Sequence, residues 1–272
     1  MKNAIGFNSG QIGDLVIMTV AARAFKEQFP NAKLTFAVAD KYKDILPLFA
    51  ENPNIDCLHV WEGYDHEWPS KLDKEYMEFR KFDHVFNPLC GHTRQDWYNF
   101  HHYGEEACLR HGLQRASHLS YELIKWFPRL DGCEKYITLS LFPSKGSQLD
   151  KTMPIPECEK LCIGLKAMGY TPIQLGGKFE VKLENAIAPN FSILEAAQIL
   201  TSSALHITAD TGFASIAAGY KHKTLGFYGR NYPDMVDCFS HLPPNTNATY
   251  IKNKNPQSLT AEEILAIIPR IL

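Results

Sequence analysis

The sequence predicts an α/β protein whose strands form two parallel sheets. Short β-rich runs alternate with helical patterns over residues 2–88, and the alternation returns over residues 133–229. Residues 91–130 separate the two series and contain no obvious strand. Strands that alternate with helices across short loops pair in parallel. We therefore expect two Rossmann-like domains, at 1–130 and 131–257, whose strand ends face each other across a cleft.

Each element rests on a local pattern. Strands are assigned where β-branched and aromatic residues cluster, and helices where apolar residues recur every three or four positions, as Leu15 and Met18 do. Residues 258–272 form a final helix, for which Ser258 or Thr260 is the expected N-cap. The other strands and helices are predicted at 2–7, 33–39, 57–61, 82–88, 133–143, 171–177, 204–209 and 223–229, and at 14–28, 42–50, 156–168, 194–201 and 211–220, respectively.

The composition is that of an ordinary globular protein, and it excludes several classes of function. The formal net charge is −2, so no general field attracts nucleic acid or an anionic membrane. No apolar run approaches the length of a membrane-spanning helix, and the N-terminus lacks the apolar core of a signal peptide. The cysteines have irregular spacings and no CxxC pair, which argues against a disulfide framework or a zinc ribbon. We expect a cytoplasmic protein with no nucleic-acid partner and no transmembrane segment.

The segment 8–14, NSGQIGD, follows the first strand and opens the first helix. Gly10 and Gly13 let a ligand approach the backbone, but their spacing is neither GxGxxG nor that of a phosphate-binding P-loop. The Asp14 carboxylate would compete with a phosphate for the positive end of the helix. The segment therefore favours a carboxylate that acts as a base in a cleft. The alternative is that Asp14 only caps its helix.

The segment 207–219, ITADTGFASIAAG, is a strand end followed by a helix of small residues. The backbone amides of Thr211, Gly212 and Phe213 would be free at the start of that helix, with a hydroxyl beside them. Such a turn suits a diphosphate. The alternative is a helix that Asp210 caps and that packs tightly on its sheet.

Two further polar segments lie at predicted strand ends. In the segment 142–154, Ser144 and Lys151 suit a phosphate or a leaving group, and a solvated polar loop is the alternative. Glu180 follows two glycines at 176–177 and is placed to accept hydrogen bonds from ribose hydroxyls. The histidines show neither HxxxH nor HxH spacing, so we expect no metal site and no cofactor.

Several of these segments resemble glycosyltransferase family 9, the heptosyltransferases. The opening GQIGDLVIMTVAARAFKEQFPNAKLTFAV resembles the family's G-x-x-G-D turn, its hydrophobic helix and its link to the next strand. DKTMP, IQLGGKFE and HITADTGFASIAAGYKHKTLGFYG resemble the family's C-terminal blocks in order and spacing. The resemblance covers the first sixty residues and about residues 140–230.

The resemblance implies a GT-B fold, in which a C-terminal domain holds a nucleotide-sugar donor and the transfer is inverting and metal-independent. The implied partners are an ADP-sugar donor and a glycan or glycolipid acceptor, with peripheral membrane contact left open. The helix at 258–272 is expected to pack back on the N-terminal domain, as the tails of GT-B enzymes often do.

The resemblance also implies roles for individual residues. Asp14 is similar to the family's catalytic base, and Lys151 to the lysine near the donor phosphates. The turn formed by Asp210, Thr211 and Gly212 is similar to the one that binds the diphosphate and the sugar, and Glu180 is similar to a ribose contact.

The sequence departs from the family at one position of its most specific block. The pattern DSGxxHLA has a histidine where Ser215 stands here. Two alternatives stay open. One is a nucleotide-sugar epimerase of the same fold, and the other is a non-catalytic module that binds a nucleotide-sugar, which Ser215 in place of the histidine favours. A nicotinamide oxidoreductase is not favoured, because a GxGxxG motif with a downstream acidic partner is absent from the sequence.

Overall fold

The computed structural model describes residues 3–8, 12–61, 82–86, 108, 113–114, 116–123, 127–132, 135–142, 151–177, 180–228, 243–251 and 255–272. The chain divides into two compact units, Met1–Lys125 and Trp126–Leu272. The division falls close to the boundary at 130 that the sequence predicts.

The described strands of the first unit form a parallel sheet around β1. This strand (Asn3–Asn8) pairs with β2 (Lys33–Ala39) on one side and with β4 (His84–Phe86) on the other. β3 (Cys57–Trp61) pairs with the outer edge of β2, which gives the order β3-β2-β1-β4. Helix α1 (Ile12–Gln28) connects β1 to β2 and is buried along most of its length.

A 3₁₀ helix over Asp40–Phe49 follows β2, at the position where the sequence predicts a helix over 42–50. Pro47 lies inside this segment and has no amide hydrogen, so it cannot donate the bond that a regular α-helix requires there. The side chains of Ile45 and Leu48 are buried, which holds the segment against the sheet.

The described strands of the second unit also pair in parallel, in the order β6-β5-β7-β8-β9. These strands are β5 (Tyr136–Ser140), β6 (Thr171–Gln174), β7 (Leu205–Thr208), β8 (Thr224–Phe227) and β9 (Ala248–Ile251). β9 is absent from the sequence prediction, because its partly buried residues lack a strong apolar alternation. The other described strands agree with the prediction to within a few residues.

The described helices of the second unit are α2 (Ile155–Ala167), α3 (Ile193–Ser202), α4 (Gly212–Gly219) and α5 (Ala261–Ile271), with a short 3₁₀ turn over Pro256–Ser258. The two cysteines on α2 are fully buried, and burial raises the pKa of each thiol to about 12. Cys158 and Cys162 are therefore core side chains.

Helix α5 packs on the core of the second unit. Its residues Ile264 and Ile268 are fully buried and belong to the core that also contains Leu161 of α2. The helices α2 and α5 approach so closely that a Cβ on Gly164 would overlap the side chain of Leu265. The apolar face of α5 is thereby used to cover α2.

Candidate functional site

Both sheets have a topological switch point, and the candidate residues lie at these two points. In the first unit β2 and β4 flank β1, and in the second unit β6 and β7 flank β5. Ligands of open parallel sheets bind outside the carboxyl ends of the strands at such points. Asp14 follows the end of β1, and Asp210 follows the end of β7.

Asp14 lies half-buried in the first turn of α1. The helix begins at Ile12, so Gly13, which was predicted as a loop residue, is inside the first turn instead. The amides of the first turn need no intrahelical partner, so a glycine is tolerated there despite its low helix propensity. Gly10 lies outside the described residues.

Tyr42 is a neighbour of Asp14 that the sequence analysis missed. It lies just after β2, which pairs with β1 so that Asn8 and Val38 are opposite each other. Burial and the nearby Asp14 carboxylate together raise the pKa of the Tyr42 phenol. The Lys41 ammonium lies 4.9 Å from the centroid of the Tyr42 ring. The candidate base therefore has a protonated phenol near it, a proximity that only the strand pairing reveals.

In the second unit, Lys151 and Asp210 form an ion pair in front of α4. The Lys151 Nζ donates a hydrogen bond to Asp210 Oδ2 over 3.1 Å, although the residues are 59 apart in sequence. Their side chains are 22% and 42% exposed, so a ligand from solvent can reach them. The N-cap residue of α4 is Thr211, and the alternative in which Asp210 caps this helix is therefore wrong.

Thr211 does not cap α4 with its side chain. Its Oγ1 lies 2.8 Å from Ser140 Oγ and 3.2 Å from Thr208 Oγ1 instead. Ser140 and Thr208 end β5 and β7, and no sequence motif pointed to them. The amides of Gly212 and Phe213 are among the first amides of α4, which lack intrahelical partners. They are available to an anion beside the Lys151 ammonium.

Glu180 lies after β6 and folds back over the glycines that precede it. Its Oε1 accepts a hydrogen bond of 2.7 Å from the Gly177 amide, and a Cβ on Gly176 would overlap its Oε2. Burial raises the pKa of the Glu180 carboxyl. Within the described part of the chain, the buried Oε2 has no hydrogen-bond partner. A buried carboxylate oxygen without a partner is uncommon, and the ribose contact expected for Glu180 stays a prediction.

Four polar side chains of the second unit form a largely buried hydrogen-bonded network, which includes residues that precede β7 and β8. Thr138 Oγ1 is 3.0 Å from His206 Nδ1 and 3.1 Å from Ser203 Oγ, which in turn is 3.1 Å from His222 Nε2. Burial lowers the pKa of His206 to about 3 and that of His222 to about 4. Both imidazoles are therefore neutral at neutral pH, His206 in the core and His222 half-buried at its margin.

Some expectations fall on other parts of the chain. Ser144 lies outside the described residues. Among the residues that the structure does describe, no group of three His, Cys, Asp or Glu side chains is placed to hold a metal ion. Over the same residues, no helix is both long and apolar enough to cross a membrane.

Solved structures with the same arrangement identify the fold. A glycosyl transferase family 9 structure from Veillonella parvula has a TM-score of 0.73 at 15% identity, with 99% of this chain and 97% of that chain covered. E. coli ADP-heptose lps heptosyltransferase II has a TM-score of 0.71 at 12% identity, with 100% of this chain and 98% of that chain covered. E. coli heptosyltransferase WaaC with ADP has a TM-score of 0.69 at 12% identity, with 99% of this chain and 100% of that chain covered. The fold is therefore the GT-B fold of glycosyltransferases.

The sequence itself points to one family within this fold. Residues 175–265 match the model of glycosyltransferase family 9, the heptosyltransferases. No curated protein sequence matches the chain. The matched segment contains Glu180 and the turn at 210–213. The resemblance seen in the sequence is thereby confirmed, and it supports an enzyme of the glycosyltransferase class.

Proposed function

We propose that this protein is a metal-independent, inverting glycosyltransferase. It would move a sugar from a nucleotide-diphosphate-sugar to a hydroxyl of a glycan or glycolipid acceptor. The observation that carries the proposal lies at the carboxyl ends of the strands of the second unit, where Lys151, Asp210 and the uncapped start of α4 converge. We call this place the donor edge. A cytoplasmic location stays a prediction from the sequence.

The donor diphosphate is proposed to bind at this edge. Helix N-termini favour anions, and the first turn of α4 contains no acidic residue that would compete. Lys151 adds a positive charge that would stabilise the leaving diphosphate as the sugar bond breaks. Glu180, with its orphaned Oε2, is proposed to accept a hydrogen bond from the ribose. Since the similar heptosyltransferase WaaC is described with ADP, an ADP-sugar is the first donor to test.

Asp14 is proposed as the general base. Its carboxylate would accept the proton of the acceptor hydroxyl while that oxygen attacks the anomeric carbon, and general-base help of this kind contributes about 10²- to 10⁴-fold. In a single displacement, the new bond forms on the face opposite the leaving diphosphate, which inverts the anomeric configuration.

One observation favours a second function, that of a non-catalytic module. Ser215, at the position of the family's histidine, is a small side chain buried in α4 and only 6% exposed. A protein that has lost a reacting group there would bind a nucleotide-sugar without converting it.

The test combines binding with product analysis. ADP-, GDP-, UDP- and CMP-sugars are screened for an increase in the melting temperature of the full chain, and nucleotide release is then followed with and without a glycan acceptor. Release that needs the acceptor, resists EDTA and yields an inverted anomer supports the proposal. Conversion of the donor alone identifies an epimerase, and binding without either reaction identifies the non-catalytic module. If none of these donors binds, the proposed donor site is refuted.

A further inference from the structure

The three hydroxyl side chains at the ends of β5 and β7 form one cluster, defined here as Ser140, Thr208 and Thr211. The parallel register places Ser140 directly opposite Thr208. These two side chains are buried, with residue exposures of 1% and 0%, and Thr211 lies in front of them at the start of α4. Their neighbourhood depends on the pairing of β5 with β7 and not on any sequence motif.

The hydroxyls of the cluster are linked by short contacts, which hold the Thr211 hydroxyl in place. Each hydroxyl has one hydrogen to donate and can accept two further bonds. The Thr208 hydroxyl has three acceptors within reach, the carbonyls of Ala209 at 2.8 Å and Ser140 at 3.3 Å and the Thr211 hydroxyl at 3.2 Å. Either hydroxyl can be the donor in the contact between Thr208 and Thr211. The Thr211 hydroxyl lies between its two hydroxyl neighbours, Ser140 and Thr208, which hold its position.

This fixed position has a consequence for α4. A threonine at the N-cap ordinarily accepts a hydrogen bond from the second or third amide of its helix, which stabilises the helix. Thr211 occupies the N-cap position, with extended backbone angles, yet its side chain makes no such bond. The side chain that is best placed to satisfy the first amides of α4 is held by two other hydroxyls.

We propose that Ser140 and Thr208 are positioning residues for donor binding, which hold the Thr211 hydroxyl in the cluster so that the first amides of α4 remain available to the diphosphate. This inference rests on the proposed function, because it concerns the same donor edge. It adds that the Thr211 hydroxyl and the diphosphate would compete for an amide at the start of α4. If the cluster is broken, the Thr211 hydroxyl turns to its own helix and competes with the ligand for the Phe213 amide, since the Ala214 amide already donates to the Thr211 carbonyl over 3.1 Å.

A double-mutant cycle tests the competition, with ADP as the probe and isothermal titration calorimetry on the full chain. Ser140→Ala should raise the Kd of ADP about fivefold, since an N-cap contributes about 1 kcal/mol. In a Thr211→Ala background, where no side chain can cap α4, the same Ser140→Ala change should alter the Kd less than about twofold. Ser202→Ala is the matched control, because Ser202 is also buried in the second unit but bonds to the Leu130 amide away from the cluster.

The possible outcomes separate this inference from the proposed function. An equal loss of affinity from Ser140→Ala in both backgrounds, or no loss in either, overturns the positioning role while the donor site stands. If the unmodified protein binds neither ADP nor another nucleoside diphosphate, the proposed donor site and this inference fall together. Thr208→Val repeats the cycle with a side chain of similar volume, so that a folding defect of one variant does not decide the result, and thermal melts of each variant confirm folding.

Discussion

The helices α1 and α4 each begin after a strand end at the switch point of their own unit, α1 after the central strand β1 and α4 after β7, which neighbours β5. Their first turns differ in charge. α1 carries Asp14 in its first turn, whereas α4 carries no acidic residue there and has no side-chain cap. A helix N-terminus attracts negative charge. In α1 the chain supplies that charge itself, and in α4 it does not. The comparison teaches that the start of a helix after a parallel strand suits either of the two proposed roles, a base in the first unit or an anion site in the second.

The largest expected effect comes from the first-unit member of this comparison. Asp14→Asn should lower the rate of sugar transfer by about 10²- to 10⁴-fold, because the amide cannot accept the proton of the acceptor hydroxyl. Binding of ADP should change less than about twofold, since the donor edge belongs to the second unit. Steady-state kinetics and calorimetry measure the two quantities. The exposed Asp44 provides the control Asp44→Asn, and equal rates for both variants would remove Asp14 from the mechanism.

The next largest effect is a loss of stability of the second unit at acidic pH. His206 and His222 have pKa values lowered by burial to about 3 and about 4, whereas an unfolded histidine titrates near pH 6.5. As the pH falls below about 6.5, the unfolded chain therefore takes up protons that the folded unit refuses. Stability is complete above that pH and is lost towards pH 4, by about 1.4 kcal/mol per pH unit for each histidine.

Denaturant unfolding at a series of pH values, together with ADP binding, measures this loss. His222→Gln should reduce the pH slope, and His59→Gln, on the exposed face of β3, should leave it unchanged. A slope that is identical in the His222→Gln variant contradicts the assignment.

The ion pair at the donor edge gives a smaller effect. Lys151→Met should weaken ADP binding by about 10- to 100-fold, because it removes a charge-assisted contact to the diphosphate and leaves Asp210 unpaired. Lys151→Arg should recover part of the affinity. Calorimetry at several salt concentrations measures both, with Lys166→Met on the exposed side of α2 as the control. Undiminished affinity in Lys151→Met would show that the diphosphate binds elsewhere.

The smallest effect sharpens the comparison of helix starts. α3 and α5 begin with complete capping boxes, Ser192 with Glu195 and Thr260 with Glu263, in contrast to α4. Thr260→Ala should therefore lower the free energy of unfolding by about 1 kcal/mol without changing ADP affinity. Chemical denaturation measures the first quantity and calorimetry the second. A loss of ADP affinity in this variant would mean that caps and ligand sites are not separated as proposed.

The sequence predicts the elements of this fold better than it predicts their detailed form. β2 and β3 have the predicted bounds, because Lys33–Ala39 and Cys57–Trp61 are compact β-rich runs between clear breaks. The segment after β2 was predicted as helical, but its 3₁₀ form depends on Pro47 and on packing. β9 escaped prediction because Ala248–Ile251 gains its strand conformation from pairing with β8.

The sequence likewise predicts some residues of the candidate site but not the contacts between distant ones. Asp210, Thr211 and Gly212 can be predicted because a strand end followed by a small-residue helix is a local pattern. The contact between Ser140 and Thr211 joins residues that are 71 apart in sequence, and it exists only because β5 and β7 pair in one register. Sequence patterns identify which residues carry chemistry, and the strand register decides which of them meet.

Helix α5 completes the core of the second unit with residues near the C-terminal end of the chain. During translation, the strands and α2 of this unit emerge with an uncovered apolar face, and they keep it until Ala261–Ile271 have left the ribosome. A nonsense codon that removes this segment would leave Lys151 and Asp210 in the chain but would expose the apolar side chains of α2 that α5 covers.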